Sequence, residues 1–575
     1  MKTQNETLME PEQALRITGA DAVIRCLLAE GVETLFGYPG GAIMPIYDAM
    51  YDYQDQINHV LTRHEQGAVH AAQGFARATG KVGVCMATSG PGATNLITGI
   101  ADAMIDSTPM VCIVGQVAKH LLGTDAFQES DVLGMSMPVT KWNFQVTSAD
   151  EIPDALAKAF YLAKSGRPGP VLVDITKNAQ QEEFDFTYAA CDTMGGYRPK
   201  PTLDPMQIHA AAELINNAER PYVIFGQGVT LAGAEEELKQ FLERGHLPAA
   251  GTLLGLSALP TDHPNFVGMP GMHGRYGANK LTNECDVLIA VGMRFDDRVT
   301  GNLDKYAKQA KVIHLELDPS EIDKNVKADI PVLGDCRESL SALIPLLEPR
   351  DRTAWFDAFA ACDRLEDEKV VLKETFPTEG DITMGEVIRM LNDLTKGEAI
   401  IVTDVGQHQM VTCRYGEFKN GKSHITSGGL GTMGFCLPAA IGAKLGEPDR
   451  DVIAVIGDGG FQMTIQELGT IMQTGVNVKI LILNNEFLGM VRQWQQLFFD
   501  KRYSFTEMHN PDFVAIAKGY HLDGEKVDDR EKLGEALSRM MNHPSAYLLE
   551  VRVGKENNVF PMVPTGASVA EVRLE

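Results

Sequence analysis

Short runs of Val, Ile and Leu alternate with amphipathic stretches along most of the chain. Two of these runs, VIAVI at 452–456 and VKILIL at 478–483, show no apolar/polar alternation and are too short for helices. They predict parallel strands buried on both faces. Between them FQMTIQELGTIMQTG predicts a helix, with Gly475 as its C-cap. Near the start NHVLTRH at 58–64 predicts a strand end, and Glu65 opens a helix that Gly80 closes. VGVCMAT then predicts a second strand, and SGPGATN leads into another helix. The repeated strand–helix–strand unit predicts an α/β protein of doubly wound, mainly parallel sheets. Periodicity stops at 181–205, where Pro and Gly cluster, and a charged, helical link is expected at 346–380. Three domains follow, 1–185, 203–345 and 375–555, with a tail at 556–575 outside the third sheet.

Length supports several domains, since 575 residues exceed what one core holds. The net charge of −26 repels phosphate backbones and anionic lipid, which argues against nucleic-acid and membrane-surface roles. An anionic substrate then needs a local cation. The nine cysteines form no C-x-x-C pair and suit buried free thiols in a reducing compartment. No apolar run is long enough to span a bilayer, and MKTQNETLMEPEQ lacks the features of a signal or transit peptide. A cytoplasmic protein is expected.

Candidate chemistry concentrates at strand ends. Gly457-Asp458-Gly459-Gly460 follows one buried run and Asn484-Asn485 the next. A right-handed crossover brings both strand ends to one sheet edge, so Asp458 and Asn485 converge. A carboxylate and an amide oxygen are hard ligands suited to Mg²⁺, which keeps positions for phosphate oxygens and water. The glycines allow close backbone approach to a diphosphate, and the helix N-terminus favours its charge. The plain alternative is a pair of turns without metal.

This segment resembles the signature of the thiamine-diphosphate enzyme superfamily. The resemblance implies a third metal ligand from the Phe487 carbonyl. It implies cofactor contacts from Val405, Gly406, Gln407 and His408 in TDVGQHQ, from Gly431 and Met433 in SGGLGTMGF, and from Gly459 and Gly460. Met433 matches the apolar residue that bends the cofactor into a V. Gly460 stands where many relatives have Ser, a change expected to affect diphosphate contacts little. In the first block, RHEQGA followed by ATSGPGATN implies that Glu65 serves the pyrimidine ring as an acid–base group, with Pro91 and Asn95 as cofactor-binding residues. A lone helix-start glutamate is otherwise a dipole partner. The resemblance sets Glu65 opposite the third block of a different subunit, at a homodimer interface. Both blocks look related.

From about residue 15 to about 560 the chain is similar to catalytic subunits of acetohydroxyacid synthases, the biosynthetic acetolactate synthases. Its markers include FGYPGGAIMPIYDA, GTDAFQE, RPGPVLVDITK, GMHG, RFDDRVTG and LGMVRQWQ. The glycine turns of the middle block alone suggest a nucleotide only weakly. The family resemblance implies FAD there, touching Gly226, Gly228, Thr252, Leu253, Met272, His273 and Gly292. Arg294, Asp296, Arg298, Val299, Glu316, Leu317 and Asp335 complete the set. The flavin has no redox task in the family's net reaction.

The implied reaction decarboxylates pyruvate and joins the hydroxyethyl unit to a second pyruvate, giving 2-acetolactate, or to 2-ketobutyrate, giving 2-aceto-2-hydroxybutyrate. It is the first common step of branched-chain amino-acid biosynthesis. Arg298 would hold the acceptor carboxylate, and Trp494 would contact the extra methyl of 2-ketobutyrate. Gln128, Phe127, Lys177, Gly41 and Met490 are carried over as pocket residues. A homodimer or dimer of dimers and a small regulatory subunit are implied. Rival readings are a catabolic acetolactate synthase and a pyruvate oxidase.

Overall fold

A computed structural model describes residues 15–575. The polar segment MKTQNETLMEPEQ lies outside the described residues. The N-terminal region contains β1 (Leu15–Thr18), β2 (Thr34–Gly37), β3 (Asn58–Leu61), β4 (Gly83–Ala87), β5 (Met110–Gln116), β6 (Trp142–Val146), β7 (Pro170–Thr176) and β8 (Glu183–Phe186). Strands β2 to β7 form a parallel sheet in the order β3-β2-β4-β5-β7-β6. The central region carries β9 (Pro221–Phe225), β10 (Ala249–Gly251), β11 (Val287–Val291), β12 (Lys311–Glu316) and β13 (Ile330–Leu333), ordered β10-β9-β11-β12-β13. The third contains β14 (Ile400–Thr403), β15 (His424–Thr426), β16 (Val452–Gly457), β17 (Lys479–Asn484), β18 (Asp523–Val527) and β19 (Tyr547–Arg552), ordered β15-β14-β16-β17-β19-β18. Counted within each sheet, the first and third share the order 2-1-3-4-6-5.

The unbroken apolar runs are explained by two-sided burial. In β16, Ala454 and Ile456 enter one core while Ile453 and Val455 enter the other. In β4, Val84 and Met86 face one core and Cys85 and Ala87 its opposite. Helices on both faces leave such strands no polar side.

First and third domains meet within the chain where helix Glu65–Thr79 crosses helix Cys436–Gly446. The approach is backbone-close: an added Cβ at Gly74 would stand 1.9 Å from the Ala439 carbonyl oxygen, and one at Gly442 1.8 Å from that of Ala71. Gly80 closes the first helix at φ 78°, in the left-handed region that favours glycine.

Two expectations need correction. The segment read as a break at 181–205 begins with β8, which pairs antiparallel with β1 outside the main sheet. The helix expected after the GDGG turn is split: Asp458–Met463, a short 3₁₀ turn at Ile465–Glu467, then Leu468–Thr474. The interruption is at Thr464, whose hydroxyl donates to the Gly434 carbonyl at 2.9 Å, a long-range bond that local periodicity does not encode. The charged link is helical, with Thr353–Glu366 running through a π-helical turn into Leu372–Thr375. The tail leaves β19, bonds to Gln493 through Val559, and reaches the central domain where the Val563 N–H donates to Met272 at 2.8 Å. Among the described residues no helix is long and apolar enough to cross a membrane.

Candidate functional site

The register of β16 against β17 pairs Gly457 with Leu483, so Asp458 and Asn485 emerge side by side at one sheet edge. Both are buried. The Asn485 side-chain N–H donates to Gln407 Oε1 at 3.2 Å, leaving Oδ1 as the acceptor end; it receives the Phe487 N–H at 3.2 Å. Asp458 Oδ2 accepts from the Asn510 amide at 2.6 Å, and Asn510 also donates to Asn484. Burial pushes the Asp458 carboxyl up to about 6. A bound cation would reverse that penalty by pairing the charge.

These groups line a small cavity of about 50 Å³ together with Gln407, His408, Gly457, Gly459, Gly460 and Phe487. His408 is buried and its Nε2 has no partner. Burial lowers its pKa to about 3, so the ring is neutral. An added Cβ at Gly457 would meet the His408 ring at 2.8 Å, and one at Gly460 would meet Asp404 Oδ1 at 2.3 Å. Gly460 is therefore spatially constrained by Asp404. The arrangement is a glycine-lined cradle with an unpaired imidazole nitrogen, one carboxylate and one amide oxygen. That donor set fits a diphosphate bridged by a hard cation.

A second cavity of about 1120 Å³ adjoins the first and shares Val405, Gly406, Met433 and Met490 with it. All fourteen central-domain residues assigned above to the flavin line it, as do Gly431 and Trp494. Its central floor is glycine-built: an added Cβ at Gly226 would lie 2.4 Å from the Gly292 carbonyl oxygen, and one at Gly228 2.7 Å from Gly292 Cα. Arg298 reaches the cavity with its side chain 64% exposed and only a loose 3.5 Å contact to Asp297. That surface pair is weak and leaves the guanidinium free for a carboxylate. Trp494, on helix Gly489–Phe498, packs against Phe498 with ring centroids 5.1 Å apart.

The remaining predicted residues gather at the corresponding edge of the first sheet. His64 Nδ1 accepts from the Gln66 N–H and fixes the start of the Glu65 helix. Glu65 Oε2 accepts from the Asn95 amide at 2.9 Å. Pro91 begins the helix that carries Asn95. Gln128 lies against Gly90, with φ 59°. Gly41 and Lys177 follow β2 and β7 at the same edge. Glu65, Gly41, Pro91, Asn95, Phe127, Gln128 and Lys177 line neither cavity. Phe127 is 88% exposed. Within one chain the predicted residues thus fall in two separate groups.

Sequence reasoning missed Asn510, Arg167 and Asp404. Asn510 has no neighbouring pattern. Arg167 lies in RPGPVLVDITK, and its guanidinium, paired with Asp318 and Glu321, lines the large cavity. Asp404 lies within TDVGQHQ, but its partners are some thirty positions on: it accepts the N–H groups of Gly434 and Cys436 at 3.0 Å each.

Comparison with known proteins agrees with this architecture. Residues 17–135 match the N-terminal TPP binding domain of thiamine pyrophosphate enzymes, 208–343 their central domain, and 404–551 their C-terminal TPP binding domain. The acetolactate synthase large subunit of Parasynechococcus marenigrum is 46% identical over 97% of this chain and 91% of its own length. Acetolactate synthase isozyme 2 large subunit of Escherichia coli is 46% identical over 97% of this chain and 99% of its own. The acetolactate synthase large subunit of Corynebacterium glutamicum is 45% identical over 97% of this chain and 90% of its own. With all three domains matched in order and this identity over almost the full length, the chain belongs to the acetolactate synthase large-subunit family of thiamine pyrophosphate enzymes.

Proposed function

We propose that the protein joins two 2-ketoacids: pyruvate loses carbon dioxide, and its two-carbon remainder is added to the keto carbon of a second pyruvate or of 2-ketobutyrate. The observation that carries this reading is that the two cavities share a wall of residues. The diphosphate cradle shares Met433 and Met490 with a larger cavity lined by Arg298 and Trp494, which would take the second ketoacid.

Thiamine diphosphate supplies an acidic thiazolium carbon and an electron sink for decarboxylation. Asp458, Asn485 and the Phe487 carbonyl would hold Mg²⁺, with Gln407 and His408 on the diphosphate. Met433, whose side chain approaches Gly459, would set the bend of the cofactor. Glu65, oriented by Asn95, would hold and return a proton at the pyrimidine nitrogen. Arg298 would orient the acceptor by its carboxylate, and Trp494 would favour the larger alkyl group. Gly41, Phe127, Gln128 and Lys177 would close the pocket from the first domain. FAD fits the large cavity, where the Gly226, Gly228 and Gly292 floor admits close approach of a nucleotide.

Because Glu65 and Phe127 lie away from both cavities of their own chain, we assign the complete site to two chains, at least a homodimer. The large-subunit names of its relatives suggest a small regulatory partner. Nine unpaired cysteines suit a cytoplasmic, reducing setting.

The test is an assay of purified protein with pyruvate, Mg²⁺ and thiamine diphosphate. Acetolactate is expected. Acetate or acetyl phosphate with peroxide would replace this reading by an oxidase, and full activity after flavin removal would favour the catabolic type.

A further inference from the structure

The loop Ser427–Cys436 carries Met433 and is gripped from both sides by buried carboxylates. Asp404, of its own domain, takes the Gly434 and Cys436 N–H groups. The other grip comes from the first domain. Asp106 accepts the N–H groups of Gly428 and Gly429 at 2.8 and 2.7 Å. Asp102 accepts the hydroxyls of Ser427 and Thr432, and Ser427 Oγ in turn accepts the Thr432 N–H at 2.8 Å. Arg77 completes the cluster: it pairs with Asp106 at 3.0 Å, donates to the Thr426 carbonyl at 2.5 Å and lies over the Phe435 ring. Asp102 and Asp106 are buried to within 1%. Two buried carboxyl groups face one guanidinium, and the four loop donors satisfy oxygens that burial would otherwise leave unpaired.

The elements carrying this grip also carry the Glu65 group. Helix Glu65–Thr79 starts with Glu65 and holds Arg77 in its last turn. Helix Pro91–Ile105 starts beside Glu65 with Pro91 and Asn95 and holds Asp102 near its end, with Asp106 as C-cap. The helices run parallel and close: Gln73 donates to the Gly99 carbonyl at 3.0 Å, and an added Cβ at Gly99 would meet Val69 at 2.0 Å. They form a strut about 22 Å long, from fifteen residues at the usual helical rise.

We infer that Asp102, Asp106 and Arg77 are positioning residues for the Met433 loop, and that the two-helix strut fixes this loop relative to Glu65 of the same chain. The inference rests on the two-chain reading of the site above. Under that reading Glu65 and Met433 of one chain serve different cofactors, so the strut ties two active sites together.

Asp106→Asn and the milder Thr432→Val test this. In the cofactor-free protein, hydrogen exchange of 427–436 should rise about tenfold or more, as expected for loss of a charge-assisted hydrogen bond, while 65–79 stays protected. In the loaded protein the near-UV circular dichroism of the bound cofactor should weaken and kcat should fall about tenfold, with a smaller change in cofactor affinity. Unchanged exchange in both variants would overturn the inference, as would equal loosening throughout the domain. Thr432→Val keeps both carboxylates and serves if Asp106→Asn does not fold.

Mixed dimers with wild-type sites as reference separate the two layers of the argument. Glu65→Gln and Asp106→Asn in the same chain, paired with a wild-type chain, should give less than half of wild-type activity. The same changes on opposite chains should give about half, since both defects then fall in one site. The opposite pattern would overturn the two-chain reading while leaving the loop grip. Half activity in both would overturn the grip.

Discussion

Counted in chain order, the first sheet and the third both run 2-1-3-4-6-5, and both gather polar residues at the C-terminal ends of their strands. Their edges nevertheless differ. At the third sheet Asp458, Asn485 and Gln407 are buried and hydrogen-bonded, and His408 is buried beside them, around a formed cavity. At the first, Glu65 is half-buried and Gly41 and Phe127 are exposed. The same topology thus yields a cavity already organised within one chain and an edge left exposed, the edge to which the proposed reading gives the acid–base role. The difference suits a long charged cofactor whose diphosphate must be desolvated and held, while its pyrimidine is met from the facing domain.

The sharpest way to break this comparison is to remove one function from each edge. Glu65→Gln should lower carboligation by on the order of 10²–10⁴-fold while cofactor binding survives, because a general acid–base group contributes about that much. Turnover of Glu65→Gln close to the parent rate would leave the open edge without a catalytic role. Asp458→Ala should instead act on binding: Mg²⁺-dependent affinity for thiamine diphosphate, read by calorimetry, should fall on the order of 100-fold or more, exceeding typical losses for groups that only support a ligand. If Asp458→Ala binds normally and Glu65→Gln does not, the assignment of the two edges is reversed.

A smaller effect belongs to the region between the edges. Trp494→Leu should reduce the preference for 2-ketobutyrate over pyruvate about tenfold, since one methylene in a pocket accounts for about 1–3 kcal/mol. A competition assay with both acceptors measures it. An equal loss for both acceptors would make Trp494 a packing residue of its helix, where it already touches Phe498.

How much of this was legible beforehand follows the range of the interactions. The buried strands, the Gly80 and Gly475 caps and the convergence of Asp458 with Asn485 are set by residues close in sequence or by one crossover, so pattern and chemistry were enough. The break at Thr464 depends on a bond to Gly434, and β8 depends on β1, more than a hundred residues earlier. Asn510 bonds to Asp458 across a loop, and Asp102 and Asp106 reach a loop more than three hundred positions away. No local periodicity records such pairs. The flavin set was carried by resemblance, and the structure adds that all of its members line one cavity.

The helix crossing that joins the two related domains gives the next test. Gly74→Ala would put a methyl 1.9 Å from the Ala439 carbonyl oxygen. The helices must separate, and overpacking of this kind costs about 1–3 kcal/mol. A lower thermal midpoint is expected. An unchanged midpoint would mean that the two halves of the chain are not held rigidly by this contact, which would weaken the strut argument as well.

The smallest expected effect contrasts the sixth strand of each sheet. In β19, buried Glu550 accepts from Asn484 at 2.7 Å and meets Lys526 at 3.2 Å. In β7, buried Asp174 has only the amides of Gln116 and Gln145, both on Oδ2, and Oδ1 has no partner. Burial pushes the Asp174 carboxyl up to about 6. The folded state therefore binds more protons than the unfolded chain between about pH 4 and pH 6, so this group makes stability fall as pH rises through that window and leaves a constant penalty above it. Asp174→Asn should flatten that slope and raise stability at neutral pH by about 1–2 kcal/mol, below the full ionisation penalty because the new amide N–H also needs a partner. Glu550→Gln should instead lower stability, since it weakens the partner of Lys526. Denaturant titrations at several pH values would distinguish them, and a gain from both variants would show that Lys526 does little to compensate the buried charge of Glu550.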